Sequence, residues 1–180
     1  MSGGDSRPDP DTDLGTGPAP GTDAAMKAGS QRNLHATAIS VGGRGLMFVG
    51  PSGSGKSMLA FSCLSQAKRL GAEALLVADD QIFLRIDNGR VIAQRPSSIK
   101  GLIELRGSGI VTVESVESVA VDLVVQMVDP SAAERLPPEN ERFSVSENMS
   151  LPMIRMSPLV PDPIAWIAAL APFIRAYPPF

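Results

Sequence analysis

Leu46 to Leu70 reads LMFVGPSGSGKSMLAFSCLSQAKRL, and this one stretch decides the class of fold. Its first four residues, Leu46-Met47-Phe48-Val49, are continuously apolar, as a strand buried on both faces requires. Gly50-Pro51-Ser52-Gly53-Ser54-Gly55-Lys56-Ser57 then matches G-x-x-x-x-G-K-[ST] in full. From Ser57 to Leu70, Leu59, Ala60, Cys63, Leu64 and Ala67 recur at helical spacing, and Gly71 is placed to end the helix at the C′ position. The glycines let the loop backbone curl so that successive N–H groups point at phosphate oxygens, and the helix N-terminus adds partial positive charge. On this reading Lys56 pairs with the outer phosphates and the Ser57 hydroxyl ligates Mg²⁺. A plain strand-to-helix turn does not need all eight positions in this context. The motif fixes a nucleotide-phosphate site but not its reaction, since hydrolases, kinases and switches all use it.

Outward from the loop, Leu34–Val41 alternates as a strand does, and Gly42–Gly45 suits a tight turn. Ala74–Ala78 reads as a second buried strand, ending in Asp79-Asp80. Ligands of open α/β sheets gather at the carboxyl ends of strands, so this pair is placed to hold Mg²⁺ or to take a proton from an attacking hydroxyl. Its ordinary alternative is a turn. Ile82–Ile86, the turn Asp87–Arg90 and Val91–Ala93 predict a hairpin. In Gly101–Gly109, Glu104 and Arg106 stand two apart, so on a strand both point to one face. They suit one Mg²⁺ ligand and one phosphate contact; the bland reading is an exposed ion pair.

Val119–Val128 predicts a core strand, and Ser131–Glu147, with Pro137-Pro138, a polar irregular excursion. Leu151–Met156 predicts a short edge strand, and Pro163–Ala176 a helix that Pro172 ends or kinks. Taken singly, His35 and Cys63 read as structural residues.

Composition narrows the chemistry. One cysteine excludes an intramolecular disulfide framework and a Cys-cluster zinc site, and one histidine excludes His-rich metal sites. Any metal is then a hard ion held through oxygen. A formal charge of -3 argues against a general nucleic-acid binder. No stretch reaches the roughly 18 uninterrupted apolar residues of a membrane span. Residues 1–30 hold six Gly, four Pro and five Asp with almost no large apolar side chain, which predicts a disordered tail ahead of one domain over 31–180. The acidic start and missing apolar run do not fit a signal peptide, and the expected location is cytoplasmic.

Asn33-Leu34-His35-Ala36-Thr37, Gly50–Ser57, Val77-Ala78-Asp79-Asp80 and Gly101–Val111 (GLIELRGSGIV) together resemble the catalytic domain of bacterial HPr kinase/phosphorylase. Their order and spacing agree along roughly residues 33–111, and the Glu104/Arg106 segment makes the resemblance far more specific than a phosphate loop alone. The resemblance implies an α/β P-loop kinase core with a mixed, β-rich sheet, similar also to phosphoenolpyruvate carboxykinase. It implies ATP on Gly50–Ser57, Mg²⁺ on Ser57 and Glu104, and His35 as an active-site histidine. One of Asp79 and Asp80, with Asp80 favoured, would be the base that deprotonates a serine of HPr or an HPr-like carrier. Arg106 would act in the site, and Arg135, in a short match, as a further catalytic arginine.

The family assembles as hexamers, so a homo-oligomer is implied, and the match is to the short form without a separate N-terminal domain. Leu151–Pro158 lacks most of the proline- and arginine-containing pattern tied to the reverse, dephosphorylating reaction, so that activity is not implied. Two other classes stay open: a different P-loop kinase or NTPase, and a regulator that binds ATP without turnover.

Overall fold

The structure, a computed structural model, describes residues 31–172. The tail expected over 1–30 and the last part of the expected C-terminal helix lie outside them. At the centre, β3 (Arg44–Val49) runs into the glycine loop, α1 (Lys56–Arg69) follows, and β4 (Ala74–Ala78) returns. Between the two strands lies β2 (Thr37–Val41), antiparallel to both, with Thr37 opposite Phe48 and Ala38 opposite Ala78. β3 and β4 are therefore parallel to each other. Their carboxyl ends and the amino end of β2 meet at one edge, and most of the candidate site residues collect there.

The helix ends as the sequence predicts. Gly71 is left-handed (φ 78°), its N–H bonds to the Lys68 carbonyl at 3.0 Å, and Ala72 N–H bonds to the Ala67 carbonyl at 2.9 Å. These two bonds satisfy carbonyls that the helix leaves open, and only glycine enters that conformation at no steric cost. The face carrying Leu59, Ala60, Cys63, Leu64 and Ala67 is buried against the sheet. Burial pushes the Cys63 thiol well up, as befits an inert core residue.

Further along, β9 (Ser118–Met127) is flanked by β3 and by β11 (Met149–Met156), both parallel to it, with Val124 opposite Met47 and Met153. Its first residues pair with β6 (Arg90–Gln94), which forms the expected hairpin with β5 (Ile82–Asp87); β1 (Gln31–Leu34) adds to β5. The hairpin turn has Asn88 and Gly89 both at positive φ, the conformation that matches strand twist. Together with β10 (Arg142–Ser146), these strands form one nine-stranded mixed sheet among the described residues. β7 (Leu102–Leu105) and β8 (Gly109–Thr112) form a separate two-stranded ribbon.

The central strands are buried on both faces. Ile39, Leu46, Phe48, Leu76 and Leu123 pack on the side of α1 and of α2 (Pro163–Leu170). Ala38, Met47, Val77 and Val124 pack on the other, covered by Ile82, Leu84, Val91, Val145 and Leu151 from the outer strands. This two-sided burial is why β3 and β9 read as unbroken apolar runs. No helix among the described residues is long and apolar enough to cross a membrane.

Three expectations are corrected. The strand over Leu34–Val41 breaks at His35-Ala36, because the chain changes partners there, from β5 to β3 and β4. The excursion over Ser131–Glu147 contains β10, whose Phe143 and Val145 reach the second core. The expected short edge strand over Leu151–Met156 is the longer β11, paired with β10 in its first half and β9 in its second. The C-terminal helix ends at Leu170, just ahead of Pro172 as expected, and the rest of its expected span past Pro172 lies outside the described residues.

The approach of β3 to β9 depends on Gly45. A Cβ there would lie 2.2 Å from the Ala120 carbonyl oxygen, which is backbone and cannot swing away. Gly45→Ala should therefore lower stability by at least about 2 kcal/mol in urea titration. Gly43→Ala, in open space but at φ 75°, should cost only about 1 kcal/mol. Equal losses in the two variants would show that this contact is not limiting.

Candidate active site

The edge where β3 and β4 end and β2 begins holds a cavity of about 190 Å³ lined by His35, Ser52, Gly53, Gly55, Lys56, Ser57, Met58, Asp80, Glu104 and Arg106. Seven of the side chains expected from sequence thus face one space. The cavity is smaller than the roughly 300–1,000 Å³ of pockets that take a whole organic ligand, so it fits a phosphate chain with an ion.

The loop is built for an anion. α1 starts at Lys56 with Gly55 as its cap (φ 90°), and no side chain caps its first N–H groups. Those donors are left open to a ligand, beside the positive end of the helix. The glycines also make room for close packing. A Cβ on Gly53 would fall 2.7 Å from the Arg106 guanidinium, and one on Gly55 2.5 Å from Pro158 Cβ. Arg106 thus lies directly over the loop, although it sits in the turn after β7 rather than on the strand. Ser54 Oγ is buried in the loop with no hydrogen-bond partner among the described residues, as expected where a ligand completes the polar contacts.

Lys56 is buried and donates to the Gly50 and Pro51 carbonyls and to His35 Nε2, each at 3.0 Å. An ammonium only donates, so Nε2 accepts and the ring proton sits on Nδ1. Nδ1 faces Asp80 Oδ1 at 3.0 Å. Lys56, His35 and Asp80 form one hydrogen-bonded chain. Burial pushes the Lys56 ammonium below the usual lysine range; Asp80 and Asp79 oppose that shift, and Arg106 adds to it.

Asp79 behaves differently from its neighbour. It is buried, and three donors reach its carboxylate: Thr37 Oγ1 and Ser57 Oγ to Oδ1, both at 2.7 Å, and the Glu104 backbone N–H to Oδ2 at 3.0 Å. Asp80, at φ 70°, turns outward, its side chain 78% exposed. The two carboxylates, of which the family resemblance favours Asp80 as the base, are separated into a buried anchor and an exposed group paired with His35.

The residues present fit Mg²⁺ and a nucleotide phosphate chain. Ser57 and Glu104 offer hard oxygen donors at the cavity wall. Among the described residues no three His, Cys, Asp or Glu side chains converge into a ready-made cage. That suits Mg²⁺, which takes one or two protein oxygens and fills its shell with phosphate and water.

Arg135 is not brought to this edge. It lines a second cavity of about 850 Å³ with Glu134, Pro137, Arg155 and Trp166, where Arg155 pairs with Glu141 at 2.6 Å. Thr37, which donates to Asp79, is the neighbour of this site that sequence reading misses. Its position beside His35 was the available signal, but threonine is ordinary in a strand.

A family model described as HPr Serine kinase C-terminal domain matches residues 26–158. The HPr kinase/phosphorylase of Clostridium beijerinckii is 28% identical over 131 residues, 67% of this chain and 41% of that protein. That of Caldicellulosiruptor bescii is 34% identical over 101 residues, 52% of this chain and 30% of that protein. The chain thus spans less than half the length of these curated relatives. A solved structure, the Hpr(Ser) kinase/phosphatase from Coxiella burnetii, superposes with a TM-score of 0.65 at 24% identity, covering 80% of this chain and 96% of that one. The likeness bears out the expected β-rich P-loop kinase fold.

The lowered Lys56 makes a pH prediction. Phosphate contact needs the charged ammonium, so nucleotide affinity should fall as pH rises, with a midpoint below the ordinary lysine value of 10.5. Lys56→Arg keeps its charge to higher pH and should move that fall upward. An unchanged alkaline limb in calorimetric titrations would rule out Lys56 as its source.

Proposed function

Because the chain belongs to the HPr Serine kinase C-terminal domain family, we propose that it is an Mg²⁺-ATP-dependent serine kinase whose acceptor is HPr or an HPr-like phosphocarrier. The observation that carries this reading is the Lys56–His35–Asp80 chain at the phosphate loop, with Asp80 left exposed at its end. A regulator that only bound ATP would not need an oriented, accessible carboxylate beside the phosphate site.

In the proposed reaction the loop N–H groups, Lys56 and Arg106 hold the ATP phosphates, and Ser57 and Glu104 hold the metal. When bound, Mg²⁺ supplies charge neutralisation at the phosphate oxygens. The serine hydroxyl of the carrier approaches Asp80. As its oxygen bonds to the γ-phosphorus, the bond from that phosphorus to the β–γ bridging oxygen breaks, and the hydroxyl proton passes to the Asp80 carboxylate. His35 Nδ1–H keeps one Asp80 oxygen engaged, which leaves the other facing the acceptor. Positioning and charge stabilisation supply most of the rate, since little covalent work falls to the protein. Arg135 would join this reaction only by movement of its loop or from a second copy of the chain.

The test is phosphotransfer from Mg²⁺-ATP to purified HPr, read by mass spectrometry on the acceptor serine. Asp80→Asn should slow transfer by about 10²–10⁴-fold, the usual worth of a general base, with ATP affinity little changed. Lys56→Ala should lose ATP binding itself. Wild-type transfer by Asp80→Asn would end the base assignment. Tight ATP binding by the native chain with no transfer to any carrier would favour the regulator instead.

A further inference from the structure

We propose that Thr37 is a positioning residue of the metal–nucleotide site, acting through Asp79; this rests on the assignment of Ser57 as a metal ligand made above. Thr37 is fully buried at the amino end of β2, and its hydroxyl donates to Asp79 Oδ1 at 2.7 Å. The Ser57 hydroxyl donates to the same oxygen, also at 2.7 Å. Two donors on Oδ1 and the Glu104 N–H on Oδ2 hold the carboxylate from both ends, so its plane cannot turn.

The consequence falls on Ser57. A hydroxyl carries one proton and two lone pairs, and its proton can point anywhere on a cone. With that proton committed to Asp79, the lone pairs are aimed away from Asp79, and Ser57 lines the cavity on that side. A hard cation binds those lone pairs. The same carboxylate fixes the backbone at Glu104, the other proposed ligand, so both arms of the metal site hang on one anchor. Thr37 is the donor to that anchor whose residue is not part of the cavity wall. Without it, Asp79 is held at Oδ1 by Ser57 alone and can follow that side chain instead of orienting it.

Removal of an outer hydrogen bond of this kind typically weakens metal binding by about 10–100-fold. The experiment is calorimetric titration of the purified chain with ATP across a range of Mg²⁺ concentrations, with no acceptor protein present. Thr37→Val keeps the shape and deletes the donor. It should raise the Mg²⁺ concentration for half-maximal metal-dependent binding by about 10-fold, leaving ATP binding in chelator unchanged. Thr37→Ser, which keeps the donor, should restore the native value. In a Ser57→Ala background, Thr37→Val should produce a smaller further shift, because only the Glu104 arm is then left for Asp79 to position.

A native Mg²⁺ requirement in Thr37→Val overturns the proposal. So does an equal weakening with and without metal, which marks a general packing effect, or a Thr37→Ser as impaired as Thr37→Val. If the native chain shows no metal-dependent nucleotide binding at all, the proposed function falls and this inference with it. A native chain that binds Mg²⁺-ATP normally while Thr37→Val matches it sinks the inference alone.

Discussion

The carboxylate of Asp79 ties together pieces of chain that are far apart in sequence. Its three donors come from the start of β2, the first turn of α1 and the ribbon that begins at β7, and it stands itself at the end of β4. Burying a carboxylate is unfavourable by several kcal/mol unless its oxygens are met by donors. Those donors arrive together only when β2 lies between β3 and β4 in the observed register. The same register brings the phosphate loop beside the Asp pair. The register of the sheet and the assembly of the site are thus tied together, since a shifted β2 would take Thr37 away from Asp79.

Local signals were legible in the sequence wherever the physics is local. The loop and helix announce themselves through glycine spacing and the 3.6-residue period, and the helix stop through Gly71. The β5–β6 hairpin is written in Asp87-Asn88-Gly89-Arg90, where two positive φ values need Asn and Gly. What failed was partner choice. Leu34–Val41 alternates without interruption, yet the chain leaves one strand partner at Leu34 and takes two others from Thr37. Nothing in the side chains of His35 and Ala36 encodes that exchange; it follows from where the rest of the sheet stands. β10 was hidden for the reverse reason, since its two core residues are set among Arg142, Ser144 and Ser146 and the strand exists only against β11.

The candidate site was legible by composition but not by role. Every expected residue except Arg135 reaches the loop edge, because each belongs to a segment whose spacing the fold fixes locally. Arg135 rests on a three-residue match in a proline-rich stretch, where spacing carries no register, and it lies on another cavity. Thr37 was silent because a buried threonine and a packing valine look alike in a strand. Only the distance to Asp79 tells them apart.

Asp79 and Asp80 show how one backbone angle assigns chemistry. Had the strand continued, alternate residues would simply face opposite sides of the sheet, and neither would reach both anchor and cavity. The left-handed conformation at Asp80, which Asp tolerates better than most residues, breaks the strand at that point. Asp79 stays inside with all three donors, and Asp80 swings out to the His35 ring. His35 in turn holds Lys56 against the Gly50 and Pro51 carbonyls, with its ammonium proton-donating capacity spent on the protein. Lys56, His35 and Asp80 are thus joined by two consecutive side-chain contacts, each of 3.0 Å, so the phosphate loop and the exposed carboxylate are linked through side chains with no main-chain group between them.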